Sequence, residues 1–184
     1  FAHYSHKARY YAFMLITMFA TLGVFLSKDL FTLFIFFEMM SLSSYVWVVQ
    51  EETEEALKAG VTYLAIAVIG GMVMLMGLFL LNHAVGTLKI DELYEAVQKA
   101  WNEKSQQIYT AGFLMLFGFG AKAGMFPLHF WLPKAHPVAP APASALLSGI
   151  LTKCGIFGIL ILTTEVFVHD LKWGSVILIL GVLG

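Results

Sequence analysis

Cysteine is almost absent from this chain: Cys154 is the single one in 184 residues. One thiol cannot hold an iron–sulfur cluster, a Cys-rich zinc site or an internal disulfide, so no redox centre and no cofactor is expected within the chain. Charge is also scarce. Asp, Glu, Lys and Arg make up 12% of residues, about half the fraction of a soluble domain. The formal net charge of −1 gives no electrostatic reason to expect a nucleic-acid partner. No hydrolase motif, phosphate-binding loop or dinucleotide fingerprint is present. The Gly118-Phe119-Gly120-Ala121-Lys122-Ala123-Gly124 run lies inside an apolar helical pattern and reads as helix packing. Proline is missing from the first 126 residues, and all five prolines fall between Pro127 and Pro142.

What the chain has in abundance is apolar sequence: 59% of residues are hydrophobic and the mean hydropathy is +0.80. The expected fold class is therefore all-α, a polytopic transmembrane helix bundle. A helix needs about 20 apolar residues to cross a hydrocarbon core of roughly 30 Å. Segments near 9–27, 30–50, 57–82, 107–132 and 142–168 meet or approach that length, and a sixth begins near 173. Trp47, Trp131 and Trp173 lie near segment ends, where interfacial aromatics are expected. The first segment is not read as a signal peptide, because Ser27-Lys28-Asp29 leads directly into another span without a small-residue cleavage site. The chain opens on Phe1 and stops at Gly184 inside an apolar run, so residues 1–184 read as a transmembrane fragment of a longer subunit. Basic residues fall on both sides of the proposed spans, and the positive-inside rule gives no orientation.

Three charges sit near the centres of apolar spans: Glu38, Lys122 and Lys153. Each costs roughly 2.5–3.5 kcal/mol on insertion scales, and intramembrane ionisable groups mark ion or proton pathways by default. Lys122 is bracketed by Gly120 and Gly124 and lies five residues before Pro127. Burial disfavours a charged lysine while a nearby carboxylate favours it. A lysine balanced between the two can exchange a proton as its partner moves; a static ion pair joining two helices is the alternative. Glu38 is the natural partner. Ser41 and Tyr45 follow it at i+3 and i+7, which makes one face of that helix polar. The Lys153 amine is too deep to reach water, since its stem covers less than half of the roughly 15 Å to the interface. It needs an internal partner or water, and Ser144, Ser148 and Thr152 line a neighbouring stripe. All three charged groups are expected to face the bundle interior.

Pro127 interrupts the fourth span by freeing the carbonyl of Ala123. Non-helical backbone at membrane depth survives only when buried in protein or lining a wet cavity, and broken helices mark sites in many transporters. Pro133, Pro137, Pro140 and Pro142 are expected to form an extended connector. Lys58 begins the third span, where snorkelling is the usual explanation. His129 and His136 flank the break and titrate near neutrality; no second histidine stands at metal-ligand spacing, so no metal site is expected. Within 88–104, Ile90, Leu93, Tyr94, Val97 and Trp101 recur at helical spacing. That stretch reads as an amphipathic connector helix, either against the membrane or a partner, or solvated.

Phe36-Phe37-Glu38-Met39-Met40-Ser41-Leu42-Ser43-Ser44-Tyr45 resembles the glutamate-bearing helix of the antiporter-like subunits shared by respiratory complex I, membrane-bound hydrogenases and Mrp sodium/proton antiporters. Ala121-Lys122-Ala123-Gly124-Met125-Phe126-Pro127-Leu128-His129-Phe130-Trp131-Leu132-Pro133, continued by Ser144 through Lys153, strengthens the likeness. The resemblance implies the first five-helix inverted repeat of a fourteen-helix subunit. It implies Glu38 as the family carboxylate, Lys122 as the channel lysine, Lys153 as the relay lysine and Lys58 as a modulating base; His129 joins them as a candidate proton carrier. Complex I subunits typically carry an aspartate where this chain has Lys134, and Ala135-His136-Pro137-Val138-Ala139-Pro140 looks more like formate hydrogenlyase and hydrogenase-4 membrane subunits.

The function so implied is proton translocation by a membrane subunit of a redox-driven complex, of hydrogenase or NADH dehydrogenase type. Electron transfer would belong to partner subunits, and no catalytic residue is expected here. An Mrp-type Na+/H+ antiporter subunit and a structural scaffold without transport remain as alternatives. The expected partners are other membrane subunits, the lipid bilayer and protons or Na+, in a prokaryotic plasma membrane.

Overall fold

A computed structural model describes residues 6–183. Every regular element among them is helical. The first four helices are α1 (Lys7–Leu26), α2 (Leu30–Val48), α3 (Glu54–Val85) and α4 (Ile90–Ala123). A 3₁₀ turn (Leu128–Trp131) leads into the short α5 (Leu132–Val138). α6 (Ala141–Leu146) and α7 (Thr152–Ile161) form one span with two π-helical turns at Leu147–Leu151 and Leu162–Val166, and α8 (Leu171–Leu183) closes the described chain. Five helical stretches among the described residues are long and apolar enough to cross a membrane.

Local chemistry sets the ends of these helices. Asp29 accepts the Thr32 N–H at 2.8 Å and caps α2. Thr53 accepts the Ala56 N–H at 3.1 Å and caps α3, with Glu54 and Glu55 in its first turn where the helix dipole favours acids. The loop between α1 and α2 is tied to the loop between α3 and α4: Leu30 N–H donates to Leu88 O and Ile90 N–H to Lys28 O, both at 2.9 Å. The amphipathic 88–104 stretch is helical. It continues into the fourth span through a kink at Lys104 (φ −125°, ψ 17°), whose amine donates to Ala84 O near the end of α3. Leu93 and Val97 of its apolar face are fully buried within this chain.

α3 and α4 approach closely. A Cβ on Gly118 would stand 2.6 Å from Gly70 O, and one on Gly77 would stand 2.8 Å from Ala111 O. α7 reaches α4 through Gly155, where an added Cβ would meet Phe119 O at 2.5 Å and Ala123 N at 2.6 Å. These contacts fix the depth of the residues around Lys122.

Two expectations need correcting. Trp47, Trp131 and Trp173 are not interfacial anchors; each is at most 1% exposed and packs inside the bundle. Trp173 stacks on Phe167 at 4.1 Å and donates to Thr163 Oγ1. The proline segment is mostly helical rather than extended. Pro133 and Pro142 occupy first turns, where a missing N–H costs nothing, and extended backbone is confined to Ala139 and Pro140.

The α4–α7 contact generates a test. Gly155→Ala drives a methyl into backbone that cannot move aside, so it should destabilise the protein by about 1–3 kcal/mol and lower its thermal unfolding midpoint. Gly149→Ala, where a Cβ meets nothing within 4 Å, should cause no loss.

Candidate functional site: a buried lysine at a helix break

α4 ends at Ala123, four residues ahead of Pro127. Gly124 takes a left-handed conformation (φ +77°) that a side chain would resist, and its N–H returns to Gly120 O. Met125 N–H donates to the same carbonyl at 2.9 Å. The chain then turns through a cis Phe126–Pro127 bond into the 3₁₀ turn. Trp131 folds back, and its indole Nε1–H donates to Ala121 O at 2.8 Å. Gly120 O and Ala121 O thus find donors inside the protein, as backbone at membrane depth requires.

Lys122 sits on the last turn before this break and is 4% exposed. Its Nζ donates to the Tyr63 hydroxyl of α3 at 2.6 Å and lies 4.7 Å from that ring's centroid, within cation–π range. Tyr63 and Ser44 of α2 share a 2.6 Å hydrogen bond, and Ser44 Oγ donates to Ser41 O at 3.0 Å. Trp131 packs edge-on against the Tyr63 ring at 5.0 Å. A cavity of about 10 Å³, lined by Ser41, Tyr63, Lys122 and Trp131 among others, lies beside the amine, room for about one water.

Glu38 lies on the same side of α2 as Ser41 and within electrostatic reach of Lys122. The two do not form a direct ion pair: the salt bridges among the described residues are Arg9–Glu52, Lys58–Glu54 and Lys89–Glu92. Glu38 Oε1 is buried with no hydrogen-bond partner among the described residues. It faces Gly71 of α3, where a Cβ would stand 2.4 Å away. Cys154 of α7 is buried and also within electrostatic reach of Lys122.

The other expected site residues are elsewhere. Lys153 is exposed on the surface of this chain rather than facing its interior, because Thr152, Cys154 and Gly155 take the buried face of α7. Its amine donates to Ser148 O at 3.2 Å across the π turn. Lys58 is exposed and pairs with Glu54 at 2.6 Å. His129 is exposed and stacks on Phe126, and His136 Nδ1 shares a 2.7 Å hydrogen bond with Ser144 Oγ. Tyr63, Ser44 and Trp131 are the site residues that sequence reasoning missed. The i+3 and i+6 spacing of Ser41 and Ser44 from Glu38 was the available signal. Tyr45, at i+7, packs instead near Gly60.

Fold and site together define a polytopic helical membrane protein with a buried lysine beside a broken helix and a carboxylate within its electrostatic reach. The family described as NADH:quinone oxidoreductase/Mrp antiporter, TM matches residues 27–184, and the chain belongs to it. It is 36% identical over 175 residues to hydrogenase-4 component B of Escherichia coli (strain K12), covering 93% of this chain and 25% of that protein. It is 35% identical over 164 residues to an Na(+)/H(+) antiporter subunit of Alkalihalophilus pseudofirmus, covering 89% of this chain and 33% of that one. Among solved structures it resembles a chain of the membrane-bound sulfane sulfur reductase, an archaeal respiratory membrane complex. That match has a TM-score of 0.79 and 27% identity, over 91% of this chain and 34% of that chain. The chain thus spans a quarter to a third of the length of these curated relatives.

The closeness of Gly71 to the carboxylate is testable by itself. Gly71→Ala should displace Glu38 and cost about 1–3 kcal/mol. Adding Glu38→Ala, which empties that space, should recover part of the loss. Thermal unfolding of the single and double variants reads the non-additivity.

Proposed function

We propose that this chain is the part of a proton-translocating membrane subunit in which Lys122 exchanges its proton under the control of Glu38. The observation that carries this reading is the buried lysine at the end of a broken helix, within electrostatic reach of a carboxylate whose Oε1 has no hydrogen-bond partner among the described residues. A buried ammonium is stabilised by a nearby carboxylate and destabilised when that carboxylate moves away or is neutralised. A change in the Glu38–Lys122 separation therefore loads or unloads the lysine. Lys153, near the middle of the span formed by α6 and α7, receives the released proton; Lys58 and His129 stand toward the ends of their segments as accessory groups.

The protein works in a multi-subunit complex of a prokaryotic plasma membrane, and redox chemistry in partner subunits drives the displacement. Its likeness to a hydrogenase-4 component and to a chain of a respiratory membrane complex supports that setting. A second reading is cation/proton antiport without a redox partner, favoured by the 35% identity to an Na(+)/H(+) antiporter subunit. Sodium dependence of transport separates the two.

Lys122→Ala and Glu38→Gln should each lower proton uptake by on the order of tenfold or more, measured in vesicles holding the assembled complex of full-length subunits. Lys122→Arg should be as impaired as Lys122→Ala, since arginine does not release its proton. Normal uptake by Lys122→Arg sinks the switch and leaves Lys122 as a structural charge.

A further inference from the structure

The hydrogen bonds around Lys122 have a direction. An ammonium only donates, so the Tyr63 oxygen accepts from Nζ and the Tyr63 proton must go to Ser44 Oγ, whose own proton goes to Ser41 O. Once Lys122 has lost its proton, its lone pair becomes an acceptor. Tyr63 can then turn its O–H toward Nζ, because a phenol both donates and accepts. The Glu38 carboxylate has no such freedom. When ionised it only accepts, and it favours only the charged lysine.

Resting on the switch reading above, we propose that Tyr63 is the positioning residue that holds Lys122 away from Glu38 and supplies the hydrogen bond its neutral amine needs. α3 provides two stations for one lysine. Gly71 leaves room for the carboxylate, and Tyr63, eight residues earlier and about 12 Å along the helix, holds the amine. The structure has the separated arrangement, with Lys122 on Tyr63 and Glu38 Oε1 unpartnered among the described residues. Trp131 braces the Tyr63 ring while its indole closes the helix break, so the ring's position and the end of α4 are mechanically linked. The groups acting on Lys122 are Glu38 from α2, Tyr63 from α3 and Cys154 from α7. The turn after the break contributes Trp131, which does not titrate.

The test is the pH profile of proton uptake by the complete complex in vesicles, with Tyr63→Phe and Ser44→Ala compared. Phenylalanine keeps the ring and its attraction for a cation but removes the hydroxyl. The charged lysine then moves to Glu38 and the neutral lysine loses its donor. Uptake near neutral pH should fall severalfold, and the alkaline limb should move up by roughly one pH unit, the most that loss of one hydrogen bond to the neutral amine supports. Ser44→Ala should move that limb the opposite way. It leaves the Tyr63 proton without an acceptor while Lys122 is charged and free to bond Nζ once Lys122 is neutral. Shifts of opposite sign support the proposal. An unmoved limb in assembled Tyr63→Phe complex overturns it, even if the rate falls, because a packing defect alone lowers rate without moving the limb. Where Tyr63→Phe does not assemble, Ser44→Ala decides: an unmoved or upward-shifted limb overturns the proposal. These outcomes are independent of Lys122→Arg. If arginine abolishes uptake while Tyr63→Phe changes nothing, the switch stands and only the role of Tyr63 fails.

Discussion

A buried ammonium must find acceptors, and much of this structure follows from meeting that need for Lys122. The amine is removed from water by packing of α2, α3, α7 and the turn after the break, and it finds the Tyr63 oxygen and the face of the same ring. An unpaired charge in such a site costs several kcal/mol even after relaxation. The positions of Tyr63, Ser44 and Trp131 are therefore tightly constrained: the ring must stand edge-on to Trp131 and its hydroxyl must reach α2.

The break in the fourth span is what allows a lysine to sit there. In an uninterrupted helix the carbonyls of Ala121 and its neighbours would be committed to N–H groups one turn on. Here Gly124 reverses the backbone, Gly120 O takes two N–H donors, and Ala121 O takes the Trp131 indole. Small residues make the arrangement dense. Gly70 and Gly118 bring α3 against α4, and Gly155 brings α7 against the final turn, so the lysine is closed in by backbone as well as side chains. An enclosure of this kind deforms little. Motion is thus more readily accommodated by side chains, Lys122 and Glu38 above all, than by separation of the helices.

The spans were legible because length and apolarity suffice to define them: the expected 9–27, 30–50 and 57–82 correspond to α1, α2 and α3. The fourth helix stops at Ala123, where Gly124 turns left-handed, four residues ahead of Pro127. The kink at Lys104 was not legible, since nothing in its neighbourhood is a glycine or proline and the acceptor its amine meets there, Ala84 O, is distant in sequence. The tryptophans misled for a related reason. Indole is enriched at interfaces because it has an apolar body and one donor, and the same properties suit it to bracing a buried helix end. Glu38 and Lys122 stood out because charge in an apolar span is conspicuous. Tyr63 did not, because a tyrosine in an apolar run is ordinary and its value depends on which helix lies opposite.

The fifth span shows what a π turn does for an amine held at depth. Lys153 is one residue from the buried Thr152 and projects from the exposed face of this chain. Its stem cannot carry the charge to water from the centre of a roughly 30 Å core. Within the Leu147–Leu151 π turn, Ser148 O accepts from the Lys153 amine at 3.2 Å and from Thr152 Oγ1 at 2.7 Å. One wide turn thus supplies an acceptor from the lysine's own helix, without a second helix to provide it. π turns recur at functional positions for this kind of reason. The contrast with Lys122 is one of degree of enclosure. Lys122 is held by another helix and shielded by packed backbone, whereas Lys153 is held by its own turn and open on one side. Lys122 therefore depends on the packing of α3 against α4 to keep its acceptor, whereas the acceptor of Lys153 moves with its own helix.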